Sequence, residues 1–311
     1  MLNTKQFLKM TKTTTNLLLM LITILAGTYF YITCCSECGA SVEQEPPKEV
    51  ATPVAPEATS YPFAFSNGDY SYTTNDNYNF NSSSSSILMP LAASMEEGIT
   101  GLKAFLQENV GKVINITGYY KSDESNDTAY PNLGLARANA VKNHLVSKGI
   151  SSARINTMGE LMESMVAKEN VYLGPVAYSL SGESENAAEE MKALYDKLNA
   201  NPLILYFNTA EASISLNAEQ RQKVADISRY LDKVEGATTN VVGHTDNTGV
   251  AATNMKLGLD RANFAKAYLM RNGISETKIN TSSKGQTNPI ESNATEEGRS
   301  KNRRTVVTLN N

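Results

Sequence analysis

The feature that most constrains this chain is that it repeats itself. Leu133-Gly134-Leu135, Arg137-Ala138-Asn139, Lys142, Leu145, Gly149-Ile150-Ser151 and Ile155-Asn156-Thr157 recur in order. Their counterparts are Leu257-Gly258-Leu259, Arg261-Ala262-Asn263, Lys266, Leu269, Gly273-Ile274-Ser275 and Ile279-Asn280-Thr281. Upstream, Phe80-Asn81 and Gly118 match Phe207-Asn208 and Gly243. Two copies of one unit imply two domains of one fold. Ala138, Val141 and Leu145 have the spacing of a helix with one buried face, as do Ala262, Ala265 and Leu269. Gly149 and Gly273 are each placed to end that helix as a C-cap.

The second copy, residues 203–311, reads as strand, helix, strand, helix and two more strands. Leu203–Phe207 is a buried strand by composition. Asn217 is placed to cap a helix, with Gln220 reaching back, and Val224, Ile227 and Leu231 give that helix its inner face. Val241-Val242 ends the next strand, and Ile279–Ser283 and Thr305–Leu309 supply the last two. The expected fold class is α/β: two tandem two-layer sandwiches of βαβαββ type, each with helices on one face of a mixed sheet.

One stretch of this copy carries chemistry. Gly243-His244-Thr245-Asp246-Asn247-Thr248-Gly249 reads as a strand end and a turn, followed by Asn254 and by a helix bearing Arg261. A helix folded back over the loop brings a carboxylate and a guanidinium to one pocket. That pair is complementary to a zwitterion, and the planar fork of arginine suits the carboxylate half. The bland reading is an ion pair that staples loop to helix.

At these residues the chain resembles the OmpA-like peptidoglycan-binding domain. Gly-His-Thr-Asp-x-x-Gly, then Asn, Leu and Arg-Ala, are joined by Gly285, Pro289-Ile290, Asn293, Thr295, Gly298-Arg299 and Asn302-Arg303-Arg304. The resemblance covers residues 203–311. It implies that Asp246 and Arg261 hold the diaminopimelate of a peptide stem. The family's first strand usually ends in Phe-Asp; here it ends in Phe207-Asn208, and Asn208 is taken as a first-strand contact. Asn254 is either a helix cap or a ligand contact. Thr248 and Gly249 either face the ligand or only form the turn. Of Arg303 and Arg304, one is expected along the pocket and one in solvent; Arg304 is taken as the pocket arginine. His244 orients the loop.

The first copy, residues 78–182, differs where binding would happen. Gly243-His244-Thr245-Asp246 becomes Gly118-Tyr119-Tyr120-Lys121, so a lysine replaces the carboxylate. Asp123 or Glu124 is a candidate replacement. Asn302-Arg303-Arg304 has no counterpart by sequence. Copy one therefore reads as a domain that kept its core and lost the site, with Arg137 a structural helix arginine. Residues 183–202 read as a linking helix, capped by Ser184, with Ala187, Met191, Leu194 and Leu198 on one face.

Before the two copies, Lys5, Lys9 and Lys12 precede an apolar run. Residues 1–16 are expected in the cytoplasm and 17–33 as a transmembrane anchor, the inner membrane being favoured and the outer the alternative. The rival reading is a cleaved export signal. Cys34, Cys35 and Cys38 leave open an anchor-proximal homodimer or thiols of no function. Cys35-x-x-Cys38 alone does not make a metal site. Residues 34–77 read as a Pro/Ser/Tyr-rich tether, with 60–81 either adding a strand or two or staying disordered.

The net charge of −4, with no basic stripe, argues against a nucleic-acid partner. Two histidines, no His-Glu-x-x-His, no Gly-x-Ser-x-Gly and no Walker-type lysine argue against an enzyme, a metal or a nucleotide cofactor. The expectation is a non-enzymatic, cofactor-free wall-binding protein of the cell envelope. Its rivals are an envelope assembly protein that has lost wall binding and a cell-wall amidase or peptidase.

Overall fold

In the computed structural model, residues 12–35, 57–68, 70–207 and 215–311 are described. The chain divides into two compact units, Met1–Ala55 and Pro56–Asn311. In the first, helix α1 spans Lys12–Phe30 and continues as a wider turn over Tyr31–Cys35. Lys12–Cys34, with a mean hydropathy of 2.0, is long and apolar enough to cross a membrane by length and composition. Cys34 is an exposed free thiol. Cys38 and the tether over 36–56 lie outside the described residues.

Both copies belong to the second unit. Copy two has a four-stranded sheet in the order β10-β9-β11-β8, formed by β8 (Leu203–Tyr206), β9 (Thr238–His244), β10 (Ile279–Gly285) and β11 (Arg304–Asn310). β10 runs parallel to β9, while β11 is antiparallel to both β9 and β8. Helices α5 (Ala218–Lys233) and α6 (Ala251–Arg271) bury Val224, Ile227 and Leu231, and Ala262, Ala265 and Leu269, against it. The reciprocal cap is present: Asn217 Oδ1 accepts from the Gln220 amide at 2.8 Å, and Gln220 Oε1 accepts from the Asn217 amide at 2.9 Å. A short helix, α7 (Glu296–Asn302), stands between β10 and β11, where the sequence pattern had shown only strands.

Copy one repeats this plan with β4 (Lys112–Tyr120), β5 (Ile155–Leu161) and β7 (Val176–Gly182) in the order β5-β4-β7. Helices α2 (Ala93–Glu108) and α3 (Leu133–Ser147) supply Ile99, Leu102, Val141 and Leu145 to its core. Its opening strand is reduced to β3 (Phe80–Asn81), paired with β6 (Val171–Tyr172). Gly149 and Gly273 both have φ near +90°, the left-handed conformation of a helix C-cap.

Two expectations are corrected. The tether does not run on to residue 77: of the two readings of 60–81, added strands are the one found, because β1 (Phe63–Asn67) and β2 (Tyr70–Thr74) form a hairpin built into copy one. Phe63 and Phe65 alternate onto its core, and Tyr70 stacks on Phe105 with ring centroids 4.7 Å apart. Ser184 does not cap the linking helix α4 (Ala187–Ala200); Asn186 stands at the N-cap with no side-chain bond. The stripe itself behaves as expected, with Met191 and Leu198 buried in the core of copy two.

The copies are joined side by side as well as through α4. Tyr130 donates its hydroxyl to Asn272 O at 2.9 Å, and the Ala129 amide donates to Asn272 Oδ1 at 2.8 Å. Lys142, 2% exposed, pairs with Asp232. Arg221 donates to Thr128 O, and Lys233 to Ala153 O at 2.6 Å. A cavity of about 1120 Å³ lies between the copies, lined by Asn115, Asn156 and Ser179 on one side and Met191, Tyr195 and Arg229 on the other.

Candidate functional site

The site of copy two forms because α6 lies unusually close to β9. A Cβ at Gly243 would run into the Gly258 carbonyl, and one at Gly258 into Ser283. With glycine at both positions, the helix drops onto the strand and Arg261, one turn further on, reaches across its end. Arg261 is 6% exposed. Its Nη1 donates to His244 O at 3.1 Å, and its guanidinium lies 5.7 Å from the centre of the Phe207 ring. Those are its only polar or ring contacts among the described residues. Burial pulls its pKa below the ordinary arginine value; the neighbouring Asp246 charge opposes that, and the like charge of Arg303 adds to it.

Asp246 is also buried, at 9% exposure. Oδ1 accepts the Thr248 amide at 2.9 Å, and Oδ2 accepts Arg303 Nη1 at 3.0 Å. Burial by itself would raise its pKa; the Thr248 amide and the Arg303 guanidinium outweigh burial and hold the carboxyl below its usual range. Arg303 extends its other branch to Glu296 Oε1 at 2.8 Å. Its Nε has no partner among the described residues.

The expectation for the arginine pair is therefore corrected. Arg303, not Arg304, is the arginine that meets Asp246, and neither lies in solvent. Arg303 is the C-cap of α7, and Arg304 is the first residue of β11, so the two side chains leave the backbone in different directions. Arg304 is 5% exposed and donates to Asn288 O at 3.1 Å. That bond ties the start of β11 to the loop that follows β10.

Asn254 does not cap α6. It is 3% exposed and its Nδ2 donates to Thr248 O at 3.1 Å and Gln286 Oε1 at 2.5 Å, with Asp246 O at 3.4 Å. It pins the Asp246 loop to the loop after β10. Val250 holds the N-cap position. Thr248 and Gly249 are exposed on the turn, with Gly249 at φ +90°. Asn208 lies outside the described residues. Gln286 is a support that the spacing gave no sign of. Asn302, part of the motif but with no role assigned from sequence, is a second: wholly buried, it holds the amides of Ile290 and Glu291 at 2.8 and 3.1 Å. His244 is 6% exposed, and burial, then Arg304 and Lys284, push its pKa down to about 4. The imidazole is thus neutral at pH 7.

The chemistry open to this arrangement is recognition of an anion beside a cation. Arg261 is a buried guanidinium with one of its five N–H groups used among the described residues, and Asp246 is an ionised carboxylate with accepting capacity left. Among the described residues no group of three or more His, Cys, Asp or Glu could hold a metal ion.

The fold and this site define a class: tandem α/β sandwiches, one bearing a buried arginine beside a paired aspartate at the end of the central strand. The model of the OmpA family matches residues 79–171 and 206–303, and the chain belongs to that family. Outer membrane protein A of Bordetella avium is 41% identical over 95 residues, which cover 30% of this chain and 49% of that protein. Peptidoglycan-binding protein ArfA of Mycobacterium tuberculosis H37Rv is 37% identical over 107 residues, covering 34% of this chain and 32% of that one. These matches span half or less of the relatives' own length. The crystal structure of the peptidoglycan-associated lipoprotein from Burkholderia pseudomallei aligns with 38% of this chain and 99% of its own, at 21% identity and a TM-score of 0.33.

Proposed function

We propose that this protein binds peptidoglycan non-covalently through copy two, catalyses no reaction on it, and ties a membrane of the cell envelope to the wall. Arg261 takes the carboxylate of a diaminopimelate-like residue in the stem peptide, and Asp246 takes its ammonium. The observation that carries this reading is the state of Arg261. It is buried over Phe207 with one hydrogen bond among the described residues, its pKa depressed by burial. An incoming carboxylate relieves that cost and uses the free donors bidentately. The matched ArfA bears the name of a peptidoglycan-binding protein, which supports the same ligand. Helix α1 serves as the anchor, in the inner membrane by preference, with copies one and two on the wall side.

The test uses the full-length chain in detergent with purified sacculi. The unmodified protein is expected to pellet with sacculi and to be released by meso-diaminopimelate. Arg261→Ala is expected to remain in the supernatant with its fold intact by circular dichroism. An unmodified chain that stays in solution, or pelleting that Arg261→Ala leaves unchanged, overturns the reading.

A further inference from the structure

Arg137 and Arg261 occupy the same place in the two copies, and part of their surroundings is the same. Arg137 Nη1 donates to Tyr119 O at 2.9 Å, as Arg261 Nη1 donates to His244 O at 3.1 Å. Arg137 lies 5.6 Å from the Phe80 ring centre, as Arg261 lies 5.7 Å from that of Phe207. Gly118 presses on Gly134 just as Gly243 presses on Gly258. The cradle for the arginine is therefore retained in copy one.

What fills the rest of the cradle differs. Arg261 has no further hydrogen bond among the described residues. Arg137 is bound by the carboxylate of Glu124, Nη2 to Oε1 at 2.5 Å and Nη1 to Oε2 at 3.1 Å. Its Nε donates to Ser84 O at 3.0 Å. Glu124 in turn accepts the Ser83 amide on Oε1 and the Lys121 amide on Oε2, each at 2.9 Å. The two side chains are 0% and 1% exposed. A buried arginine gripped on two nitrogens by a carboxylate whose other lone pairs meet backbone amides has the geometry of a bound carboxylate ligand.

We propose that copy one is a carboxylate-binding domain that carries its own ligand. From within the chain, Glu124 fills the position that an incoming carboxylate takes on Arg261 in copy two. The functional meaning rests on reading Arg261 as the carboxylate arginine. The cation-binding half is gone as well. Lys121 stands where copy two has Asp246, and it pairs with Asp123 at 3.4 Å. By strand register, Val176 opposite Gly118 corresponds to Thr305 opposite Gly243, which puts Gly174 where copy two has Arg303. Copy one thus recognises a lone carboxylate, not a zwitterion, and its site is closed by residue 124.

The experiment is rescue of Glu124→Gly in the full-length chain by propionate, which is the excised side chain capped with hydrogen. The variant is expected to melt about 5–10 °C below the unmodified protein, as loss of a buried pair does in a chain of this size. Tens of millimolar sodium propionate is expected to restore most of that difference saturably. Equal concentrations of sodium chloride or propionamide are expected to restore none. If the variant is unfolded without ligand, propionate-dependent return of the far-ultraviolet helical signal reads the same binding. Glu124→Gln, which keeps the cavity filled, is expected not to respond. Absence of a propionate-specific recovery in Glu124→Gly overturns the proposal, as does an equal response in the unmodified chain or in Glu124→Gln. None of these readouts uses peptidoglycan, so failure here with sacculus binding intact sinks the internal ligand alone.

Discussion

Asp246 and Arg303 stand 57 residues apart in the chain and meet at 3.0 Å between Oδ2 and Nη1. The contact joins the end of the central strand to the last turn before β11, so it fixes both sides of the site at once. Each partner is nearly buried, at 12% and 10% side-chain exposure. Removing one strands the charge of the other. Arg303→Ala is expected to destabilise the protein by about 2–4 kcal/mol in urea unfolding. A loss below about 0.5 kcal/mol, the level of an exposed pair, would show that the contact does not hold in solution.

In the proposed function, carboxylate recognition at Arg261 depends on the fork and not only on charge. Arg261→Lys keeps the charge and loses the bidentate geometry. Affinity for sacculi is expected to fall by about 10–100-fold in that variant, one good charge-assisted bond being worth roughly 1.5–3 kcal/mol. Full retention of binding by the lysine variant in a sedimentation isotherm would rule out a bidentate role.

His244 predicts an acid limb in stability. Its pKa in the folded protein is about 4, against an ordinary value of 6.5. Below pH 6.5 the unfolded chain takes up a proton that the folded form refuses until about pH 4. The unfolded state therefore binds more protons in that window, and stability falls as pH falls through it. The loss amounts to at most about 3.5 kcal/mol, from roughly 1.4 kcal/mol per pH unit. His244→Gln is expected to flatten the curve between pH 6.5 and 4 in chemical denaturation. Asp246 acts lower, because its folded pKa lies under 3.8; its contribution persists above that value and is lost as pH falls further. A variant curve that keeps the full slope above pH 4 would assign the limb to another group.

The joint between the copies is expected to make them unfold together. Lys142 is buried against Asp232, so Asp232→Ala leaves an ammonium without its partner carboxylate. That single change is expected to cost about 2–4 kcal/mol and to split one thermal transition into two. Adding Lys142→Met is expected to recover part of the loss, since a buried methionine needs no counterion. Additive effects in the two-residue cycle would mean that the pair is not coupled.

The sequence and the structure agree best where a pattern recurs over many residues. The Arg137 and Arg261 helices, their glycine caps and the Asn217 cap all rest on local spacing, and each appears as expected. The placing of the Asp246 loop after β9 and of Arg261 on the following helix follows from a strand–turn–helix order that a linear reading can follow. Arg303 and Arg304 are adjacent and chemically identical; only the cap geometry of α7 decides which one turns toward Asp246. Glu124 was visible as a carboxylate near the right loop. Which cation it meets depends on the loop's path in space, and it meets Arg137 instead of standing in for Asp246. The aromatic and polar stretch over 60–81 left strands and disorder both open, because its alternation is short and the partner surface of the β1–β2 hairpin belongs to residues far along the chain.

The side-by-side joint between the copies also sets how the protein bears load. A pull applied at Asp246 and Arg261 and resisted at residue 57 meets two routes. One is the backbone through α4. The other crosses laterally, through the Tyr130 hydroxyl on Asn272, Lys142 on Asp232, Arg221 on Thr128 and Lys233 on Ala153. These lateral bonds act in parallel and share the force, so the rupture of any one leaves the others strained but closed. Copy one thereby braces copy two from the side, so a load between the site and residue 57 is divided between these bonds and α4 instead of passing through α4 alone.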